Sequence, residues 1–325
     1  MTSLSIAARL ARRTFLGAAV LAVASSAFGA TFPNRPIKVV VPFSAGGGTD
    51  IIARVVSEKL SQKLGQPIVV INMPGAGGTI GGANVARAEP DGHTLLVWHV
   101  GMISSAHTNK PLPYDPLKSF TPIGQLSTAA NLIAVNPSVP AKNLKELIAL
   151  AKAKPGELNY GSSGIGGADH LAGELLAEVA QIKITHVPYK GGGPSTIGVV
   201  SGEVQFVTGS ASQVMTMVKA GKLRPLAVMH KQRIASLPDV PTAAEAGLPE
   251  LDYKTWFGMW GPAGMAPDVV AKISAALKEV LDREDVRAQL EQGGVDAAFS
   301  TPQQFDAMFR ADHARWNKIL GALIK

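Results

Sequence analysis

The chain contains no cysteine. Disulfide frameworks, metal thiolates and cysteine nucleophiles are therefore excluded, whatever the redox state of its compartment. Long apolar runs are also lacking: beyond residue 30, no stretch reaches the ~18 apolar residues that crossing a bilayer requires. The phosphate-cradling pattern G-x-x-x-x-G-K-[ST] is absent, and so is the G-x-S-x-G turn that exposes a hydrolase serine. Basic residues are not clustered. The formal charge of +7 falls to +4 without residues 1–30, which hold Arg9, Arg12 and Arg13 and no acid. A thin positive excess attracts small anions but offers nucleic acid no patch, so no nucleic-acid partner is expected.

Those first thirty residues form a separate object. A basic start is followed by an apolar run from Phe15 to Val23 and by small residues through Ala30. This is the layout of a cleavable export signal. Arg12-Arg13-Thr14-Phe15-Leu16 partly matches a twin-arginine signal, with Ala11 and Gly17 departing from it. The expected location is periplasmic.

The rest of the 325 residues alternates short apolar runs with longer amphipathic ones, a length that suits about two domains. The pattern predicts strands over 37–41, 67–71, 94–98, 132–135, 158–160, 184–187, 204–207, 226–229 and 256–262. Helices are predicted over 49–64, 143–153, 167–179, after Pro194, and over 267–282, 285–292 and 302–324. Such a βαβ rhythm implies α/β lobes, each a mostly parallel sheet flanked by helices. The C-terminal block, with three helices and one strand, is expected to return and cover the first sheet. The predicted division is an export signal over 1–30, a discontinuous lobe over 31–128 plus 254–325, and a continuous lobe over 129–253. A cleft lies between them, where binding sites are favoured.

Four glycine- and serine-rich loops each join a predicted strand to a predicted helix: Pro42–Asp50, Tyr160–Asp169, Pro188–Ser195 and Thr208–Ser212. In parallel sheets such loops gather at one edge. Glycine lets backbone approach a ligand, and the following helix presents unpaired N–H groups, an arrangement that suits a carboxylate. The candidate contacts are Phe43, Ser44, Ala45, Gly46, Gly47, Thr49 and Asp50 in the first loop. The second supplies Tyr160, Ser162, Ser163, Gly164, Gly166, Gly167 and His170, the third Tyr189 and Lys190, and the fourth Thr208, Gly209 and Ser210. Any one such loop reads more readily as a tight turn than as a site; their recurrence in both halves reverses that preference.

Competing chemistries find less support. His170, Glu174 and Glu178 share a helix face, but no second ligand cluster accompanies them, so a solvated face is expected and no metal or cofactor. Ser162 and Ser163 have no base identifiable by spacing, so no catalytic residue is assigned. An α/β enzyme acting on an acyl or phosphorylated small molecule remains the alternative from another class.

Several segments are shared with a known family. They are Pro36–Phe43 running into Gly46–Asp50, Pro74-Gly75-Ala76-Gly77-Gly78, Asp91–Leu96, Asn159–Ser162, His186–Gly191, Ala220–Arg224, Trp256-Phe257-Gly258 and Pro262-Ala263-Gly264. On these the chain resembles, over nearly all its length beyond the leader, the Bug receptors: the periplasmic binding components of tripartite tricarboxylate transporters. The resemblance implies a two-lobed Venus-flytrap, a monomer that is not an enzyme, and membrane permease subunits as partners. It implies a small carboxylated ligand, such as an organic acid, an acidic amino acid or an aromatic acid. Backbone of the Phe43–Asp50 and Tyr160–Asp169 loops would grip one carboxylate, often with ordered water. Two departures stand out: Thr208-Gly209 replaces the family's frequent Asp-Asn, and Met265-Ala266 replaces the more common Thr before Pro267. An orphan sensor of the same fold is a further reading that these motifs leave open.

Overall fold

A computed structural model describes residues 32–108 and 111–323. The segment 1–30, expected from its sequence to be an export signal, lies outside the described residues. Strand β1 (Ile37–Val41) is a β-branched run with four of its five side chains buried. Helix α1 (Gly48–Leu64) follows, burying Ile52, Val56 and Leu60 at four-residue spacing and ending on Gly65 at φ 71°. That left-handed stop closes the last turn through the Gly65 N–H and the Ser61 carbonyl, 3.0 Å apart. Next come β2 (Ile68–Asn72), α2 (Thr79–Ala86), β3 (Thr94–His99), α3 (Gly101–Thr108) and β4 (Phe120–Ala130).

The second half continues with β5 (Leu132–Val135), α4 (Leu144–Ala153), β6 (Asn159–Ser162) and α5 (Ala168–Ala180). It proceeds through β7 (Thr185–Pro188), α6 (Gly192–Ser201), β8 (Phe206–Val207), α7 (Ala211–Lys219) and β9 (Arg224–Val228). The chain ends with β10 (Lys254–Pro262), α8 (Pro267–Asp282), α9 (Glu284–Gln292), β11 (Val295–Ser300) and α10 (Pro302–Leu323).

Two sheets result, ordered β11-β4-β10-β3-β1-β2 and β7-β6-β8-β5-β9. The expected two-lobed α/β fold is present, but the pairing is more mixed than the βαβ rhythm implied. β1 is parallel to β2 and β3, and β6 to β7 and β8. In contrast β10 is antiparallel to β3 and β4, β11 to β4, and β5 to β8 and β9. The reason is connectivity: β4, β5, β9 and β10 carry the chain from one lobe to the other and back.

The C-terminal block contributes two strands, β10 and β11, to the first sheet, where the sequence showed one. Its α10 packs Phe305 and Phe309 on Trp256 and Trp260. Glycine at 258 makes this possible, since a Cβ there would stand 1.9 Å from the Phe305 ring. Among the described residues, no helix is long and apolar enough to cross a membrane.

Candidate ligand-binding cleft

The β1–α1 loop is braced from below by Asp50, which is buried. Its carboxylate accepts from Gly46 N–H (3.0 Å), the Asn72 amide (2.9 Å) and the Arg54 guanidinium (3.0 Å). Burial opposes its charge, but these donors together hold the carboxyl below its usual range. Asn72 also donates to the Phe43 carbonyl at 2.9 Å. Sequence reasoning missed Asn72; its signal is an amide closing an otherwise aliphatic strand.

The β6–α5 loop is organised by a second buried acid, Asp169. It accepts from Ser163 N–H (2.8 Å), Ser163 Oγ (2.6 Å) and His170 N–H (3.1 Å). Burial nevertheless pushes its pKa up. His170 accepts the Gly166 N–H at Nδ1, 3.1 Å away, while Gly164 and Gly166 take positive φ and Gly167 caps α5. Tyr160 points into its own lobe, against Gly173, and donates to Glu174 at 2.7 Å.

Ser162 does have a neighbouring base that spacing could not reveal: His186 Nε2 stands 2.5 Å from its Oγ. That imidazole is backed by the stacked His170 ring, 4.1 Å away, rather than by a carboxylate. Burial, helped by His170, pushes its pKa down to about 3. The serine is fully buried and also accepts the Gly164 N–H, so the pair ties the loop to β7.

The third and fourth loops make the contact between lobes. The Lys190 carbonyl accepts both Ser44 N–H (3.1 Å) and Ser44 Oγ (2.8 Å). Its ammonium side chain is exposed, and the Tyr189 ring packs inward on Gly161 and Gly198. Thr208 is buried, donating to the Asp169 carbonyl at 2.6 Å, and the Gly209 carbonyl accepts from Leu132 N–H. Glycines permit this approach: a Cβ on Gly193 would lie 2.7 Å from the Ala45 carbonyl, and one on Gly48 2.4 Å from Ser212 Oγ. Elsewhere along the seam, Ser104 donates to the Gly166 carbonyl.

A cavity of about 20 Å³ remains between the lobes, room for roughly one water. Phe43, Gly47, Gly48, Thr49, His99 and Phe257 line it from the first lobe, with Thr255 at the return crossing. Ser163, Ala168, Asp169, Gly192, Ser210 and Gln213 line it from the second. Of the residues expected from sequence, Phe43, Gly47, Thr49, Ser163 and Ser210 reach this cavity. Ser44, Ala45, Gly46 and Lys190 belong to the lobe contact. Asp50, Ser162, Gly164, Gly166, Gly167, His170, Thr208 and Gly209 shape the loops behind it. His99, Phe257 and Thr255 were not legible, because they come from strands remote in sequence from the four loops, and Gln213 was missed just beyond the end of the fourth loop.

Helix starts converge on the cavity. The N-caps of α1, α5, α6 and α7 are Gly47, Gly167, Gly191 and Ser210, and none makes a side-chain cap hydrogen bond. Away from the cleft, α4 shows the contrast: Asn143 accepts the Glu146 N–H at 2.9 Å, and Glu146 reaches back to Lys142 N–H. Helices α2, α8 and α9 also begin without a side-chain cap, but outside the cavity lining. Each such start carries N–H donors without a helical acceptor and roughly half a positive charge, although at α5 the His170 N–H is already taken by Asp169. His99 adds a neutral ring. Burial pushes its pKa down to about 3, and Gly101 N–H donates to Nδ1 at 2.9 Å, which places the proton on Nε2. The ring stacks on Phe43 at 4.8 Å.

Residues 52–324 match the family described as tripartite tricarboxylate transporter family receptor, TctC. The chain is 35% identical over 318 residues to a UPF0065 protein in the tcbD-tcbE intergenic region of Pseudomonas sp. (strain P51), covering 96% of this chain and 95% of that one. It is 32% identical to Protein BugT of Bordetella pertussis, over 91% and 92% of the two chains. Among solved structures it is similar to Rpa4515 of R. palustris with adipate, at TM-score 0.87 and 32% identity, covering 90% of this chain and 98% of that one. It is also similar to MatC of Rhodopseudomonas palustris with bound malate, at TM-score 0.84 and 34% identity, over 89% and 100%.

Proposed function

Because the chain belongs to the tripartite tricarboxylate transporter receptor family, we propose that it captures a small carboxylated metabolite between its lobes and presents it to the permease subunits of such a transporter. The candidate ligands are organic acids, acidic amino acids and aromatic acids. The observation that carries this reading is the convergence on one cavity of four helix starts whose N-cap residues make no side-chain cap, one from the first lobe and three from the second. A carboxylate accepting several of these donors gains ~1.5–3 kcal/mol per charged hydrogen bond, enough for roughly micromolar binding after association costs. The adipate and malate held by two similar proteins fit the same chemistry.

The cavity is too small for such a ligand as it stands, so entry requires the lobes to part and capture is their reclosure around it. In this reading residues 31–128 with 254–325 move against residues 129–253, as a monomer in the periplasm, after removal of residues 1–30 as an export signal. The twin-arginine route is the one proposed. The chain works as a binder, not an enzyme: the Ser162–His186 pair lies behind the loop and outside the cavity lining. Titrating a panel of organic acids while following tryptophan fluorescence tests the proposal. Trp98 meets Phe43 edge-on at 6.2 Å, so closure on a ligand should perturb its emission. Silence across the whole panel would count against a receptor.

A further inference from the structure

The cavity has an unusual charge inventory for an anion site. Among the described residues, Asp169 is the one acid that lines it, and no lysine or arginine does. Arg54, one turn into α1 behind the first loop, is already committed to Asp50 and Asn72. Lys190 turns outward to solvent. Attraction for a carboxylate therefore comes from helix starts alone, and it operates beside a buried carboxylate that is 1% exposed. Three rings complete the walls: Phe43, Phe257 and the neutral His99, with His99 stacked on Phe43 and edge-on to Phe257 at 6.0 Å.

From this arrangement the geometry points to Asp169 as the specificity-determining residue of the site, selecting a carboxylate that also carries a cationic nitrogen over one that carries a second carboxylate. The inference rests on the receptor reading above and refines its ligand class. A dianion would bring its distal charge close to Asp169 in a region of low dielectric, with no side-chain cation to offset the repulsion. A compact zwitterion meets complementary groups at both ends. Its carboxylate takes the free N–H donors, while its ammonium faces Asp169 and the faces of aromatic rings, which attract cations. The hydrogen bonds from Ser163 and His170 favour the ionised form of Asp169. Burial acts the other way, and a bound ammonium would relieve that cost.

The test is calorimetric, on the mature chain, with pairs matched in length: succinate against γ-aminobutyrate, glutarate against δ-aminopentanoate, and adipate against ε-aminohexanoate. Glycine betaine and the common α-amino acids complete the panel. The tightest ligand should be a zwitterion, bound at least tenfold more tightly than any dicarboxylate of its length. Asp169→Asn should reverse that order. Should that variant fail to fold, titrations of the wild type in buffers of different ionisation enthalpy supply a second readout. A dianion should take up a proton on binding, and a zwitterion should not. Dicarboxylates binding more tightly than their zwitterionic partners, without proton uptake, would overturn the role of Asp169 and leave the receptor reading intact. No binding by any member of the panel would remove both.

Discussion

Thr255 donates its hydroxyl proton to Asn131 Oδ1 at 2.7 Å, and so joins the two places where the chain passes between lobes. Asn131 is the single residue between β4 and β5, and Thr255 stands at the start of β10. The amide of Asn131 then donates to the Thr208 carbonyl at 2.9 Å, and Thr208 Oγ1 donates to the Asp169 carbonyl at 2.6 Å. One chain of hydrogen bonds thus runs from the hinge to the start of α5 in the cleft. All four residues are buried.

Thr255→Val should therefore be costly for its size. It leaves the Asn131 oxygen buried without its donor, a loss of about 1–3 kcal/mol. Urea unfolding should show a lower midpoint with an unchanged slope. A variant as stable as wild type would show that the crossing residues are not coupled in this way.

Gly193→Ala separates closure from folding. In a helix, alanine is favoured over glycine by about 1 kcal/mol, so thermal stability should hold or rise. Yet the new Cβ would sit 2.7 Å from the Ala45 carbonyl across the lobe seam. Ligand affinity should fall at least tenfold, and small-angle scattering should report a larger radius of gyration. Unchanged affinity would mean that the seam is not part of ligand capture.

Much of the fold was legible because β1, β2 and β3 are aliphatic runs and α1 repeats apolar residues at helical spacing, whereas the short helices α2 and α3 were not read from the sequence. Strand β4 was not legible: Pro122, Gln125 and Ser127 break any apolar pattern, and only pairing with β10 and β11 on both sides holds it extended. Strand β11, Val-Asp-Ala-Ala-Phe-Ser, fails to read as a strand for the same reason. The glycine loops marked where the lobes meet, since no other residue allows backbones so near. His99 and Asp169 as cavity walls required tertiary structure, because a local sequence does not record which face of a strand end or of a first helical turn looks into a cleft.

Asn72→Ala removes the amide that ties the Phe43 carbonyl to the Asp50 carboxylate. The β1–α1 loop should loosen while the core is unaffected. The expected loss of stability is about 1–2 kcal/mol, with affinity reduced about tenfold. Calorimetry and thermal melts on the same preparation check both. Loss of stability alone, with affinity retained, would remove the first loop from the site.

Acid should weaken the protein through its histidines. His99 and His186 are each pushed down to about 3 in the fold, against 6.5 in an unfolded chain. As pH falls below about 6.5 the unfolded chain takes up protons first, so stability is full above that value and drains away toward pH 3. For fully buried His99 the limiting slope is about 1.4 kcal/mol per pH unit. Asp169, whose pKa is raised, acts in the opposite sense and offsets part of the loss. Melting temperatures between about pH 7 and about pH 4 should decline, and His186→Gln should flatten the decline. A pH-independent melting temperature in wild type would contradict the burial of neutral imidazoles.

The most direct test is a crystal structure with the tightest carboxylate found by titration. Its carboxylate oxygens should lie about 3 Å from backbone N–H groups at the start of α1 and, at the same time, from those at the start of α5, α6 or α7. A ligand seated on one lobe alone, or outside the cavity lined by Phe43, Ser163 and Gly192, would contradict the account.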